Sequence, residues 1–166
     1  MNIIHIKQYI KSFLTYIMII IILTSIFYFL FQLEDNNYYE LKTKGPAVVC
    51  KILLRNTQNF AQYIFLAPIM PLFYIMDCVS TSWSLSASLQ INGLQITLRN
   101  LFPHGIVEIP NFCLYTLISY KICQYFYSSQ NINFLNYINQ LCQHKITLLI
   151  CEVLIIFSAI LEGSTL

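Results

Sequence analysis

The chain reads as all-α, a polytopic transmembrane helical bundle of four to five spans in a single membrane domain, residues 1–166. Three observations lead there. Of the 166 residues, 57% are hydrophobic and only 10% are charged. Soluble domains carry about 25% charged residues, so this chain has too few to cover a water-facing surface. Mean hydropathy is +0.64, and apolar runs of about 20 residues, the length that crosses a hydrocarbon core as a helix, recur along it. Twelve Phe, twelve Tyr and one Trp suit helix ends anchored at the headgroup level. A formal net charge of +2 supplies no broad basic surface, which excludes nucleic acid as a partner.

The first span is 12–31, preceded by Lys7 and Lys11. Gln32-Leu33-Glu34-Asp35 follows it without a small-residue cleavage site, so the segment reads as a retained anchor, not a signal peptide. Next comes the most polar stretch, with Glu34, Asp35, Glu40, Lys42, Lys44, Lys51 and Arg55. Gly45-Pro46 marks a break within it. Val48, Val49, Ile52 and Leu53 then recur at helical spacing opposite Lys51 and Arg55. That pattern predicts a short helix lying in the membrane interface, and an exposed linker helix fits it equally well.

The second span is 60–79, with Pro68 and Pro71 near its middle; they predict a kink, from packing or around a cavity. Ser80 to Asn100 is only weakly apolar around Trp83, Leu85, Leu89 and Ile91, and Asn92-Gly93 is a turn signal. A fifth span at 83–98, or a re-entrant pair of half-helices, follows from it. Another span covers 105–125. Phe126 to His144 reads as a polar, Asn-rich loop, and 146–161 as the last span, with Glu152 inside it and Glu162 at its end.

Lys7 and Lys11 before the first span, with acids directly after it, place the N-terminus in the cytoplasm. Four spans would then leave most remaining Lys and Arg outside, and a fifth brings the two sides near parity. The six cysteines form no CxxC and no zinc-ligand spacing. Several fall in apolar helices, where a thiol behaves as a small hydrophobe.

The stretch Leu101-Phe102-Pro103-His104-Gly105-Ile106-Val107-Glu108-Ile109-Pro110 stands out. His104 and Glu108 are four residues apart, one turn from each other on one helix face, and Pro103 suits the first turn of such a helix. Charged groups at bilayer depth are expensive and mark function by default. Three readings stay open: a polar lock between two helices, completed by Glu162; a proton-linked transport site; and a metal site of His104, Glu108 and Glu162. The polar lock comes first, because buried polar residues more often serve structure, and no cofactor or metal is expected. A His–Glu pair without a nucleophile or oxyanion hole does not point to an enzyme. His5 and His144, at helix ends, read as solvated interface.

The run Pro103, His104, Gly105, Ile106, Glu108, Pro110 resembles the Pro-His-Gly signature that opens a membrane helix in the stage II sporulation protein M family. Ala159-Ile160-Leu161-Glu162 is similar to that family's C-terminal Ala-x-x-Glu pattern, and Arg55-Asn56 with Asn59 to its asparagine-bearing helix entry. Asn111 departs from it, standing where a small residue is usual. The resemblance implies a non-enzymatic integral protein of a Gram-positive cell membrane, with two roles. One is the membrane subunit of a bacteriocin or peptide export or self-immunity system, working with an ABC ATPase on a peptide substrate. The other is a scaffold for cell-wall hydrolases in sporulation engulfment. The short chain favours the first; a proton-coupled transporter is a third expectation.

Overall fold

A computed structural model describes residues 6–32, 46–128 and 134–165; the side chains of His104, Phe134, Ser164 and Thr165 lie outside that description. So do the acidic and basic stretch from Glu34 to Lys44, and His5. All regular structure among the described residues is helical: α1 (Ile6–Leu30), α2 (Pro46–Phe65), a 3-10 turn (Ala67–Ile69), α3 (Met70–Ser128), α4 (Phe134–Gln143) and α5 (Lys145–Thr165). By length and composition α1 can cross a membrane; counting each of two bent helix pairs as one span raises the number to three.

α1 covers the expected first span, and α5 the last. The segments between them differ from expectation. Pro46 opens α2, where a missing N–H costs nothing, and the helix continues for 20 residues instead of ending as a short interfacial piece. It stops inside the expected 60–79 span. Proline at 68 cannot donate to the carbonyl of Ile64, one turn back, so the chain leaves the helix at Leu66 and turns through the 3-10 segment into α3. The carbonyls this break exposes are taken up by side chains from elsewhere. Tyr137 of α4 donates its hydroxyl to the Ile64 carbonyl, Ser119 Oγ donates to the Tyr63 carbonyl at 2.6 Å, and Tyr127 donates to the Pro68 carbonyl at 3.1 Å. The proline kink is thus a capped turn between two helices.

The 83–98 segment is not one helix either. Gly93 has φ 74° and ψ 169°, a region open essentially to glycine alone. Ser88 and Thr97 hydroxyls meet at 3.0 Å across it, and the rings of Tyr74 and Phe112, each nineteen residues from Gly93, stack at 6.1 Å. Two arms of α3, 70–92 and 94–128, therefore form an antiparallel hairpin with Gly93 at its tip. Pro103 and Pro110 lie inside the second arm, so the signature sits mid-arm and does not open a helix.

Contacts set the direction of the other helices. α1 runs alongside the first arm: Tyr16 packs on Tyr74, Ser82 Oγ donates to the Ile20 carbonyl, and Phe27 and Phe31 clasp Trp83. α2 runs alongside the second arm, with Asn56 at Glu108 and Phe60 on Tyr115. α5 is joined to it where Asn111 Nδ2 donates to the Cys151 carbonyl. The expected 126–144 loop contains α4, whose Tyr137 packs on Phe126 with Ile64, Ile118 and Ile122 in an apolar cluster. His144, expected in solvated interface, is 6% exposed.

Candidate functional site: a polar cavity among the helices

Between α1, α2, both arms of α3 and α5 lies a cavity of about 500 Å³. Its walls follow from helical spacing. On α2 the residues are Arg55, Asn56, Asn59 and Gln62; on the second arm Leu101, Gly105, Glu108, Phe112 and Tyr115; on α5 Ile155, Ser158 and Glu162. Most neighbours within each set are three or four residues apart, one face of one helix. The first arm adds Asp77, Ser80 and Thr81, and α1 adds Tyr16.

The lining is acidic. Asp77, Glu108 and Glu162 face it, with Arg55 as the cationic lining residue among those described. Neighbours hold Glu108 and Asp77. Asn56 Nδ2 donates to Glu108 Oε1 at 2.7 Å. Asp77 Oδ2 accepts from the Tyr63 hydroxyl at 2.8 Å and from Asn59 Nδ2 at 3.4 Å. Tyr63 is 0% exposed, so this bond joins α2 and the first arm in the interior. Asn59 Nδ2 also reaches the Tyr115 hydroxyl at 3.4 Å. The Asn56 and Asn59 amides and the Tyr63 hydroxyl are thereby committed to carboxylates. Asn111 Nδ2 is used on α5, but its Oδ1 has no hydrogen-bond partner among the described residues, and neither does Ser158 Oγ. Both residues line the cavity, at 3% and 1% exposure. A buried polar atom without a partner costs about 1–3 kcal/mol.

The expected site residues divide. Gly105, Glu108 and Glu162 come to this one cavity from distant parts of the sequence. Pro110 does not line it; its carbonyl accepts from the Tyr9 hydroxyl at 3.1 Å, which fastens α1 to the second arm. Pro103 is within the second arm, and His104 follows it in the helix with its side chain outside the description. Among the described residues no three His, Cys, Asp or Glu side chains converge as metal ligands. Glu152, rotated roughly 80° from Glu162 around α5, does not line the cavity and accepts from Thr57 at 3.3 Å.

Sequence reasoning passed over Asp77, although an Asp inside an apolar run is itself a signal at membrane depth. It treated Asn111 only as a departure from the family pattern, yet that residue joins α3 to α5 and faces the cavity. All six cysteines are free thiols, four of them buried.

No family model matches the chain, and searches of curated proteins and of solved structures likewise return no match.

Proposed function

We propose that the chain is a multi-pass, non-enzymatic protein of the cell membrane, the membrane subunit of a peptide-export or self-immunity system working with an ABC-type ATPase. The membrane part of this reading draws on an inverted surface. Ser82, Ser86, Thr97, Thr116, Ser119 and Ser158 are buried, whereas Ile21, Leu72, Ile75, Leu149, Val153 and Phe157 are exposed. Lipid is the solvent that stabilises such an outside. In this reading α1, α2, the two arms of α3 and α5 traverse the bilayer with the N-terminus in the cytoplasm, and α4 lies at the interface.

One observation carries the role: Gly105 and Glu108 of the Pro-His-Gly stretch and Glu162 of the C-terminal pattern, 54 residues apart at their nearest, line one acidic cavity. Residues from separate stretches that resemble the family, Arg55, Asn56 and Asn59 among them, thus line a single cavity. Its volume suits an amino-acid side chain or a short peptide segment, and three carboxylates beside one arginine among the described lining residues favour one bearing an ammonium or guanidinium group. The test is expression in a host sensitive to a membrane-active cationic bacteriocin, with and without a partner ATPase. Survival should rise with the chain and rise further with the ATPase, and Glu108→Gln with Glu162→Gln should remove the gain. Unchanged killing at full expression would overturn the reading.

A further inference from the structure

A second concavity, of about 690 Å³, opens on the outer side of the bundle between α1 and the two arms of α3. Its floor is apolar, formed by Met70, Tyr74, Ile75 and Leu117. Lys11 of α1 and Lys121 of the second arm stand at it from two different helices, with the amides of Gln8 and Gln124 beside them. No Asp or Glu contributes to its lining, and neither lysine forms an ion pair among the described residues. Two ammonium groups with no carboxylate partner among the described residues, the Gln8 amide, and the Gln124 amide that also donates to the Tyr120 hydroxyl at 2.8 Å stand beside an apolar trough; together they complement one kind of molecule, an anionic head joined to an acyl chain.

We propose that this groove is a binding site for an anionic phospholipid, with Lys11 and Lys121 on its phosphate and the acyl chain along Tyr74, Ile75 and Leu117. A free phosphate would leave the trough unused, and a neutral lipid would leave two lysines uncompensated. Basic pockets between membrane helices recognise anionic headgroups in this way. The inference rests on the membrane reading above but not on the peptide role. It also gives Lys11 a function in the leaflet that the N-terminus faces.

The test has two parts. Alkaline carbonate extraction of cells expressing the full chain asks first whether it stays in the membrane pellet; release into the wash would overturn the membrane reading and the lipid site together. The chain purified in mild detergent is then offered equal amounts of phosphatidylglycerol and phosphatidylcholine, and bound lipid is read by native mass spectrometry. Phosphatidylglycerol should be retained roughly tenfold over phosphatidylcholine, as two lysines near a headgroup allow. Lys11→Gln with Lys121→Gln should bring the ratio near one, while Lys51→Gln with Lys145→Gln should leave it unchanged. Ile75→Trp, at an exposed position that cannot unfold the core, should lower occupancy by either lipid. Equal retention of the two lipids, an unchanged ratio in the Lys11/Lys121 variant, or full displacement by inorganic phosphate would each overturn the site.

Discussion

The inner cavity and the outer groove are built from neighbouring residues of the same helices and have opposite chemistry. Tyr16 faces the cavity and Thr15 the groove; Tyr115 faces the cavity and Thr116 the groove; Asp77 lines one and Ile75 the other. A helix turns about 100° per residue, so adjacent positions serve different surfaces. Three carboxylates and Arg55 line the cavity, and Lys11 and Lys121 line the groove. The helix face a residue occupies, and not the stretch it belongs to, decides which space its charge serves. An acid inside a bundle can be held by amides and hydroxyls from other helices, as Asp77 is by Tyr63 and Asn59. A lysine has a long stem that lies along apolar surface while its head reaches polar surroundings.

Both spaces depend on the hairpin of α3, so the largest effect should come from its tip. A Cβ at Gly93 meets nothing within 4 Å, so Gly93→Ala introduces no clash and any loss is backbone strain. At φ 74° and ψ 169° that strain is on the order of 2–3 kcal/mol. Asn, which tolerates the left-handed helical region, should not rescue it, because this ψ lies far outside that region. Thermal unfolding followed by circular dichroism in detergent should show both variants well below the parent. A Gly93→Ala protein as stable as the parent would mean that the turn is not held at this residue.

A smaller loss should separate the cavity from the groove. Asp77→Ala removes the acceptor of the buried Tyr63 hydroxyl and of Asn59. Interhelical polar contacts in membranes average about 0.6 kcal/mol and reach about 1.7, and a carboxylate with two donors belongs at the upper end. The expected cost is about 1–2 kcal/mol, with Asp77→Asn milder because it keeps an acceptor oxygen. The lysines of the groove form no hydrogen bond or ion pair among the described residues, so Lys11→Gln and Lys121→Gln should leave the unfolding midpoint where it is. Equal losses from acid and lysine variants would erase the distinction between a structural interior network and a ligand-facing rim.

How much of this was legible in the sequence follows from how local each signal is. The apolar runs of α1 and α5, the prolines at 68 and 71 and the Asn92-Gly93 turn are all readable within a few residues. The prolines were nevertheless placed inside a span, because a 20-residue apolar window from 60 to 79 cannot tell a kinked helix from two helices meeting at a turn. What decides is whether other side chains exist to take the Tyr63, Ile64 and Pro68 carbonyls, and those come from Ser119, Tyr137 and Tyr127, more than fifty residues away. The site divides in the same manner. Glu108 and Glu162 stand out by type and motif. Asp77 acquires meaning only once Gly93 folds the two arms together and brings it to the same cavity as Glu108, and no local pattern encodes that pairing.

The smallest effect on stability should be the most telling for the cavity. Gly105 lines it in mid-helix, and a Cβ there would sit 3.4 Å from Leu101 Cγ, 3.5 Å from Leu101 Cδ1 and 3.8 Å from Ile109 Cδ1. These are ordinary contact distances, so Gly105→Ala needs no rearrangement. Exchanging glycine for alanine within a helix gains up to about 1 kcal/mol, and the variant should unfold at the same temperature as the parent or slightly above it. The added methyl nonetheless occupies cavity wall beside Glu108. If the cavity receives a charged side chain of a peptide, protection of a sensitive host should fall while the protein becomes no less stable; Gly105→Leu should abolish protection. Gly93→Ala would lose both together. A Gly105→Leu protein that folds and still protects in full would mean that the space beside Glu108 is a packing gap, and that Asn56 and Glu108 simply hold α2 and α3 together.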